Sequence, residues 1–236
     1  CVAFDLQGPA FRHLRYDGYK ATRHGMPEEL AMQMPVMKEV LKAMNIPVYA
    51  CQGWEADDVI GTVGKICSNN DWECVVVTGD RDSLQLIDKN VHVKLVISKP
   101  GQTTATLYTE EKFREEYGFE PKRLIDLKAL MGDSSDNIPG VPSIGEKTAA
   151  KIIQTFGTVE NAIASVTEVK PPRAAKNLEE FQEQARLSLT LATICTDCPE
   201  PGEAGKLTEQ TFATQQFVEG LKEYELKSLL QMKMVC

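Results

Sequence analysis

The sequence predicts an α/β fold, a mostly parallel sheet flanked by helices, followed by a helical part. Three observations predict it. Short apolar runs rich in valine and isoleucine alternate with segments of helical periodicity up to about residue 106. Past Thr109 the strand signals stop and helical segments follow one another. Several of the predicted strands run into acidic turns, as ligand sites do at the C-terminal ends of parallel strands.

The elements follow in order. Residues 1–5, CVAFD, read as a short buried strand. Residues 6–26 read as irregular, basic and aromatic, with mobility expected in the absence of a ligand. Pro27 to Asn45 reads as a helix: Pro27 suits its first turn, and Glu28 and Glu29 complement the positive end of its dipole. Leu30, Met34, Met37, Leu41 and Met44 recur at three- and four-residue steps, which predicts a core stripe, and Pro35 predicts a kink. Ile46–Cys51 reads as a strand, Glu55–Asn69 as a helix and Glu73–Thr78 as a buried strand with VVV at its heart. A short helix at Asp82–Ile87 and strands at Val91–Ile97 and Gly101–Thr109 complete the first half. Helices are expected over 109–117, 121–131, 146–155, 158–165, 175–192 and 215–231, with a Pro/Gly/Glu-rich loop at 199–205. The expected division is a metal-binding core over 1–106 and a helical DNA-binding region over 107–236.

The chain has 236 residues and a net charge of −8, with 26 basic and 34 acidic side chains. An acidic total argues against a simple basic nucleic-acid binder. The 42% hydrophobic and 25% charged content excludes a disordered or collagen-like chain. No apolar run reaches the length of a membrane span, so no membrane partner is expected. Seven cysteines without regular spacing suit reduced thiols in a cytoplasmic protein. The lone Cys195-Thr-Asp-Cys198 pair lacks the second ligand pair of a zinc ribbon and reads as packing.

The acids fall in four groups: Asp5; Glu55, Asp57 and Asp58 at a helix start; Asp80 and Asp82 around a turn; and Asp133 and Asp136 in the run GDSSDN. Each group alone is also an ordinary dipole complement or an Asx turn. Placed together they concentrate negative charge that cannot all ionise unaided. Oxygen ligands without clustered His or Cys select Mg²⁺ or Mn²⁺. Two such ions can hold a scissile phosphate, activate a water and stabilise a leaving oxygen. With these eight acids set aside, 26 remain against 26 bases, so the rest of the surface is neutral on balance and the acidic total no longer argues against DNA.

Residues 138–151, IPGVPSIGEKTAAK, read as a glycine-rich hairpin between two helices. Gly140 and Gly145 allow close approach, Ser143 lies in the loop, and free N–H groups at the following helix start suit a phosphate. Lys147, Thr148 and Lys151 add polar groups and charge for sequence-independent backbone binding. Arg12, Arg15, Lys20 and Arg23 interleave with Phe11, Tyr16 and Tyr19, a composition suited to a single-stranded or frayed nucleic-acid end.

These strings resemble a known family. FDLQGPAFRH at 4–13, YKATR at 19–23, WEADDVIGT at 54–62, TGDRDSLQLI at 78–87, LKALMGDSSDNIPGVPSIGEKTA at 127–149, LSLTLATICTD at 187–197 and ELKSLL at 225–230 are similar to those of the flap endonuclease / 5′–3′ exonuclease family, in the branch joined to bacterial polymerases. The resemblance implies a PIN-like core with a helix–three-turn–helix element. It implies Mg²⁺-dependent cleavage of DNA at 5′ flaps, nicks and free 5′ ends, in primer removal and repair, with a polymerase domain on the parent chain. A monomer and a bacterial, nucleoid-associated location follow from the same source. Asp5, Glu55, Asp57, Asp58, Asp80, Asp82, Asp133 and Asp136 match the family's metal-ligand acids. Glu55, Asp57 and Asp58 are assigned mainly to one ion, Asp82, Asp133 and Asp136 mainly to another, with Asp80 near both. Lys20 and Arg23 match the gateway that helps place the scissile phosphate, with Arg12 and Tyr19 beside them on the DNA. The hairpin is expected to carry a K⁺ bridging it to duplex phosphate. Family members begin with a further central strand bearing another metal-binding aspartate, so the resemblance implies a core without that strand. It leaves a second reading, a fragment that grips branched DNA without cutting it. A small-molecule phosphatase with acids at strand ends is a third class, one with no use for the hairpin.

Overall fold

The computed structural model describes residues 1–199 and residue 222. Apart from Lys222, the helix expected over 215–231 and the ELKSLL string lie outside the described residues.

Strand β1 (Val2–Ala3) leads into α1 (Phe11–Arg15) and α2 (Glu28–Ala43), then β2 (Val48–Tyr49) and α3 (Ala56–Asn69). Strand β3 (Cys74–Thr78) runs into a 3₁₀ turn over Arg81–Leu86, and β4 (Val91–Lys99) and β5 (Gln102–Tyr108) follow. The helical part comprises α4 (Glu110–Tyr117), α5 (Leu124–Met131), α6 (Glu146–Phe156), α7 (Val159–Ala164), α8 (Pro172–Glu180) and α9 (Gln182–Ala192). The helix expected as one piece over 175–192 is two, because the backbone at Phe181 leaves helical geometry at φ −109° and ψ 27°.

Among the described residues the strands form two sheets. β1 pairs with β2 in parallel, and β3 pairs with β4 in parallel while β5 returns antiparallel through Gly101. One core joins the larger sheet to the helices: Val76, Val91, Val93 and Leu95 pack with Leu84, Phe113, Leu130, Ile152, Ile153 and Leu178. The sheet's acids and the hairpin that follows α5 therefore stand on one continuous apolar foundation.

Three expectations need correction. The stripe on α2 is not core: Leu30 and Met37 are 47% and 42% exposed, and no residue of the helix is buried. Its neighbour β2 is two residues long, too little surface to cover a 16-residue helix. Nor is β3 buried on both faces. Val76 points into the core, while Val75 and Val77 lie on an uncovered face at 45% and 65% exposure. Residues 6–26 are not all irregular: α1 forms, and Arg12 and Tyr19 are buried at 3% and 4% exposure.

Candidate metal and nucleic-acid site

The acids converge from separate elements. Asp5 follows β1 and accepts the Ala56 N–H at 2.7 Å, at the first residue of α3. Glu55 caps α3, and Asp58 closes a capping box by accepting the Glu55 N–H at 3.0 Å. Asp80 follows β3 and accepts the Asp82 N–H at 2.8 Å, which starts the 3₁₀ turn. Asp133 accepts both the N–H and the hydroxyl of Ser135, at 2.8 and 2.6 Å. This Asx turn aims the loop between α5 and the hairpin.

The electrostatics follow from this crowding. Burial, followed by the charge of Asp80, pushes the Asp57 carboxyl up to about 7; Asp82 and Asp5 add to the shift and Lys20 opposes it. Burial also raises Asp82, against the opposing pull of Lys128. Asp133 is held down at about 2: burial works against this, but hydrogen bonds from Lys128 and Ser135 outweigh it.

Cations lie among these acids. Lys128 on α5 bridges Asp82 and Asp133, and it donates to Asp133 Oδ2 at 2.5 Å. Lys20 pairs with Glu55 and stands 3.9 Å from Asp136, and Arg23 pairs with Asp136. The single Tyr19 O–H is shared between Glu55 at 2.9 Å and Asp136 at 3.3 Å. Burial, then the Glu55 charge, pushes this phenol far above its ordinary range. Among the described residues no three acid, His or Cys side chains stand close enough to form a finished ligand cage, since ammonium and guanidinium groups separate them.

Two residues assigned to ion or DNA contact have other partners. All five Arg12 N–H groups are engaged. Nε donates to the Leu191 carbonyl at 3.0 Å, Nη1 to Glu55 and Asp58 at 2.8 Å each, and Nη2 to Asp58 and the Thr193 carbonyl at 2.7 Å each. Nothing is left for a phosphate. Asp58 is 0% exposed, and its two oxygens accept from Arg12, the Glu55 N–H and the Cys195 N–H. No lone pair remains for an ion, so Asp58 anchors Arg12 instead. Burial opposes the Arg12 charge, but the Asp58 hydrogen bonds and charge win and raise its pKa further.

The hairpin also departs from expectation at Gly140. Its φ is +61° and a Cβ there would meet the Gly132 nitrogen at 2.3 Å, so a glycine is required. The close approach is to the protein's own backbone. Gly140 N–H donates to Ser188 Oγ at 3.1 Å and its carbonyl accepts from Gln184 at 2.6 Å, so neither faces DNA. Ser143, with φ +64°, and Gly145 are exposed. Gly145 caps α6 with no side-chain acceptor on the first turn. Lys147 and Lys151 are exposed and Thr148 half-buried. This end of α6 is free to meet an anion.

Sequence reading missed Lys128 and Gln85. Lys128 looks like an ordinary helical lysine, although its place in the run LKALMGD was a usable signal. Gln85 donates to the Ala192 carbonyl at 3.0 Å and accepts the Ile194 N–H at 2.8 Å, partners more than 100 residues away.

Residues 1–118 match the family model of the 5′–3′ exonuclease N-terminal resolvase-like domain, and residues 119–215 match that of the 5′–3′ exonuclease C-terminal SAM fold. The chain is 43% identical over 230 residues to DNA polymerase I of Bacillus caldotenax, covering 98% of this chain and 26% of that protein. It is 38% identical over 229 residues to the thermostable DNA polymerase I of Thermus filiformis, covering 97% and 27%. It thus spans about a quarter of the length of these relatives. In fold it is similar to the bacteriophage T5 flap endonuclease in a pseudo-enzyme–product complex with DNA and metal ions: TM-score 0.68, 23% identity, 98% of this chain and 84% of that one. The catalytic core of Rad2 with DNA substrate shares the fold at TM-score 0.59 and 16% identity, covering 99% and 79%. With both family models matched in tandem, the chain belongs to the 5′–3′ exonuclease family.

Proposed function

We propose that the chain is the 5′-nuclease module of a polymerase-linked protein, hydrolysing DNA phosphodiesters at 5′ flaps, nicks and free 5′ ends during primer removal and repair. One observation carries this reading. Carboxylates following β1 and β3 crowd Asp57 on α3, and Lys128 ties this cluster to Asp133 in the loop after α5, which leads into a hairpin whose exposed end presents Lys147 and Lys151. The DNA and metal ions bound by the T5 relative, and the polymerase identity of the Bacillus and Thermus relatives, support it.

The residues fit hard divalent ions. Asp57 reaches about 7 through burial first and then through the charges of Asp80, Asp82 and Asp5, and that charge excess is one a cation relieves. Mg²⁺ or Mn²⁺, when bound, supplies Lewis acidity to activate water and stabilise the leaving oxygen. Asp5, Glu55, Asp57, Asp80, Asp82, Asp133 and Asp136 are the proposed holders, with Asp58 fixing the geometry through Arg12. Lys20 and Arg23 orient the scissile phosphate. Their exchange of carboxylate for phosphate is an electrostatic replacement at the same place. Ser143, Gly145, Lys147, Thr148 and Lys151 grip the duplex backbone, and a K⁺ held at the hairpin would add positive charge toward it. The working division remains a metal-binding core over 1–106 and a helical DNA-binding region over 107–236.

The test is cleavage of a labelled 5′-flap duplex by the full chain. Cutting is expected with Mg²⁺, lost in EDTA, and lost in Asp133→Ala while DNA binding persists. Equal cutting in EDTA refutes the reading. DNA binding without any cutting in Mg²⁺ selects the alternative of a grip-only module, which the cation-filled acid cluster favours.

A further inference from the structure

The proposed metal-site acids stand on two bodies that share one apolar core. Asp5, Glu55, Asp57, Asp80 and Asp82 belong to the sheets, α3 and the 3₁₀ turn. Asp133 and Asp136 belong with the hairpin, because Asp133 and Ile138 exchange backbone hydrogen bonds at 2.9 and 2.8 Å and Val141 donates to the Leu130 carbonyl at 2.7 Å. Charged contacts join the bodies: Lys128 to Asp82 and Asp133, and Lys20 between Glu55 and Asp136. All of these use acids that an incoming ion would claim, so they cannot hold a fixed separation through ion binding.

Helix α9 joins the same bodies without charge. At one end Gln184 and Ser188 hold both backbone polar groups of Gly140 in the hairpin. At the other, Gln85 from the acid-bearing 3₁₀ turn holds the Ala192 carbonyl and the Ile194 N–H. Thr62 of α3 accepts the Cys198 N–H at 3.0 Å, which continues the seam. None of these groups belongs to the acid cluster. From Gln184 to Ala192 the helix rises about 12 Å, on the order of four base steps of duplex.

We propose that α9 is a spacer fixing the distance between the DNA-gripping hairpin and the acids of the sheet, and that it thereby selects which phosphodiester is cut, with Gln85 as its positioning residue. This rests on the nuclease reading above. Loss of the Gln85 bonds loosens that end of the spacer, leaving it to Arg12 at the Leu191 and Thr193 carbonyls, and a shift of about 3.4 Å displaces the cut by one nucleotide.

The experiment compares the full chain with Gln85→Leu, Gln85→Glu and Ser188→Ala on an end-labelled 5′-flap duplex in Mg²⁺, reading product length at single-nucleotide resolution. The unaltered chain should give one dominant product. Gln85→Leu and Ser188→Ala should both spread cutting to the neighbouring phosphodiesters. Gln85→Glu, which keeps the acceptor for Ile194, should fall between. A purely structural role predicts slower cutting at an unchanged position, and that result overturns the proposal. A second measurement does not depend on cutting: the distance distribution between nitroxides at exposed Lys65 on α3 and Lys151 on α6 should broaden in Gln85→Leu. If the unaltered chain does not cut, the nuclease reading fails on its own, and an unbroadened distribution then overturns the spacer.

Discussion

Asp57→Asn in the ion-free chain tests the electrostatics of the site most directly. Asp57 titrates at about 7 in the folded chain against an ordinary value of 3.8, chiefly through burial and the neighbouring Asp80. A raised carboxyl binds its proton more tightly when folded, so ionising it opposes folding. The penalty is absent at pH values below 3.8, grows as pH rises between the two values, and is complete above about 7. That difference corresponds to about 4 kcal/mol. At roughly 2–4 °C per kcal/mol in a chain of this size, the variant should melt about 10 °C higher than the parent at pH 8. The gap should close by pH 4. Thermal unfolding followed by circular dichroism in EDTA, from pH 4 to pH 8.5, measures it. Saturating Mg²⁺ should raise the parent's midpoint at pH 8 and the variant's much less. A variant that melts at the parent's temperature at pH 8 and shows the same pH profile would refute the crowding of Asp5, Asp57, Asp80 and Asp82.

Arg12→Ala leaves Asp58 buried and unpaired, so urea unfolding should show a loss of about 3–5 kcal/mol, with Arg12→Lys recovering only part because it lacks the planar fork. An Arg12→Ala chain of unchanged urea midpoint would contradict the buried pair. Lys128→Met removes the cation that holds Asp133 at about 2 and opposes the rise of Asp82. Asp133 contributes stability that is present above its ordinary pKa and lost as pH falls toward about 2, so the variant's acid unfolding should begin at a higher pH, at a cost of about 1–3 kcal/mol near neutrality for these partly exposed groups. A pH titration of circular dichroism reads it, and an unmoved acid transition would exclude the bridge.

Most of the fold was legible because local signals agreed. The valines of β3 and β4 and the capped start of α3 each carry their own pattern, and the observed ends of α6 and α7 fall within a residue of those expected. The acids were legible for the same reason, since strand-to-turn transitions mark a ligand edge. Burial was less so. Val75 and Val77 have the composition of a strand covered on both faces, and only the absence of a covering layer among the described residues exposes them. The least legible features were long-range pairings. Arg12 is plainly a cation in the sequence, but its partners lie between 43 and 181 residues away. Gly140 was legible as a position needing glycine, whereas the identity of its close neighbour, Gly132, depends on the tertiary fold.

Among the described residues β3 pairs only with β4, and one of its faces is uncovered. Such an edge offers backbone donors and acceptors to any extended chain, and CVVVT carries no charge to refuse one. Acids flank it on both sides, Glu73 before and Asp80 after. Charges flanking an apolar strand oppose self-association. On the proposed reading Asp80 carries two duties, one toward ions and one toward colloidal stability, and its charge serves the second only while no cation shields it.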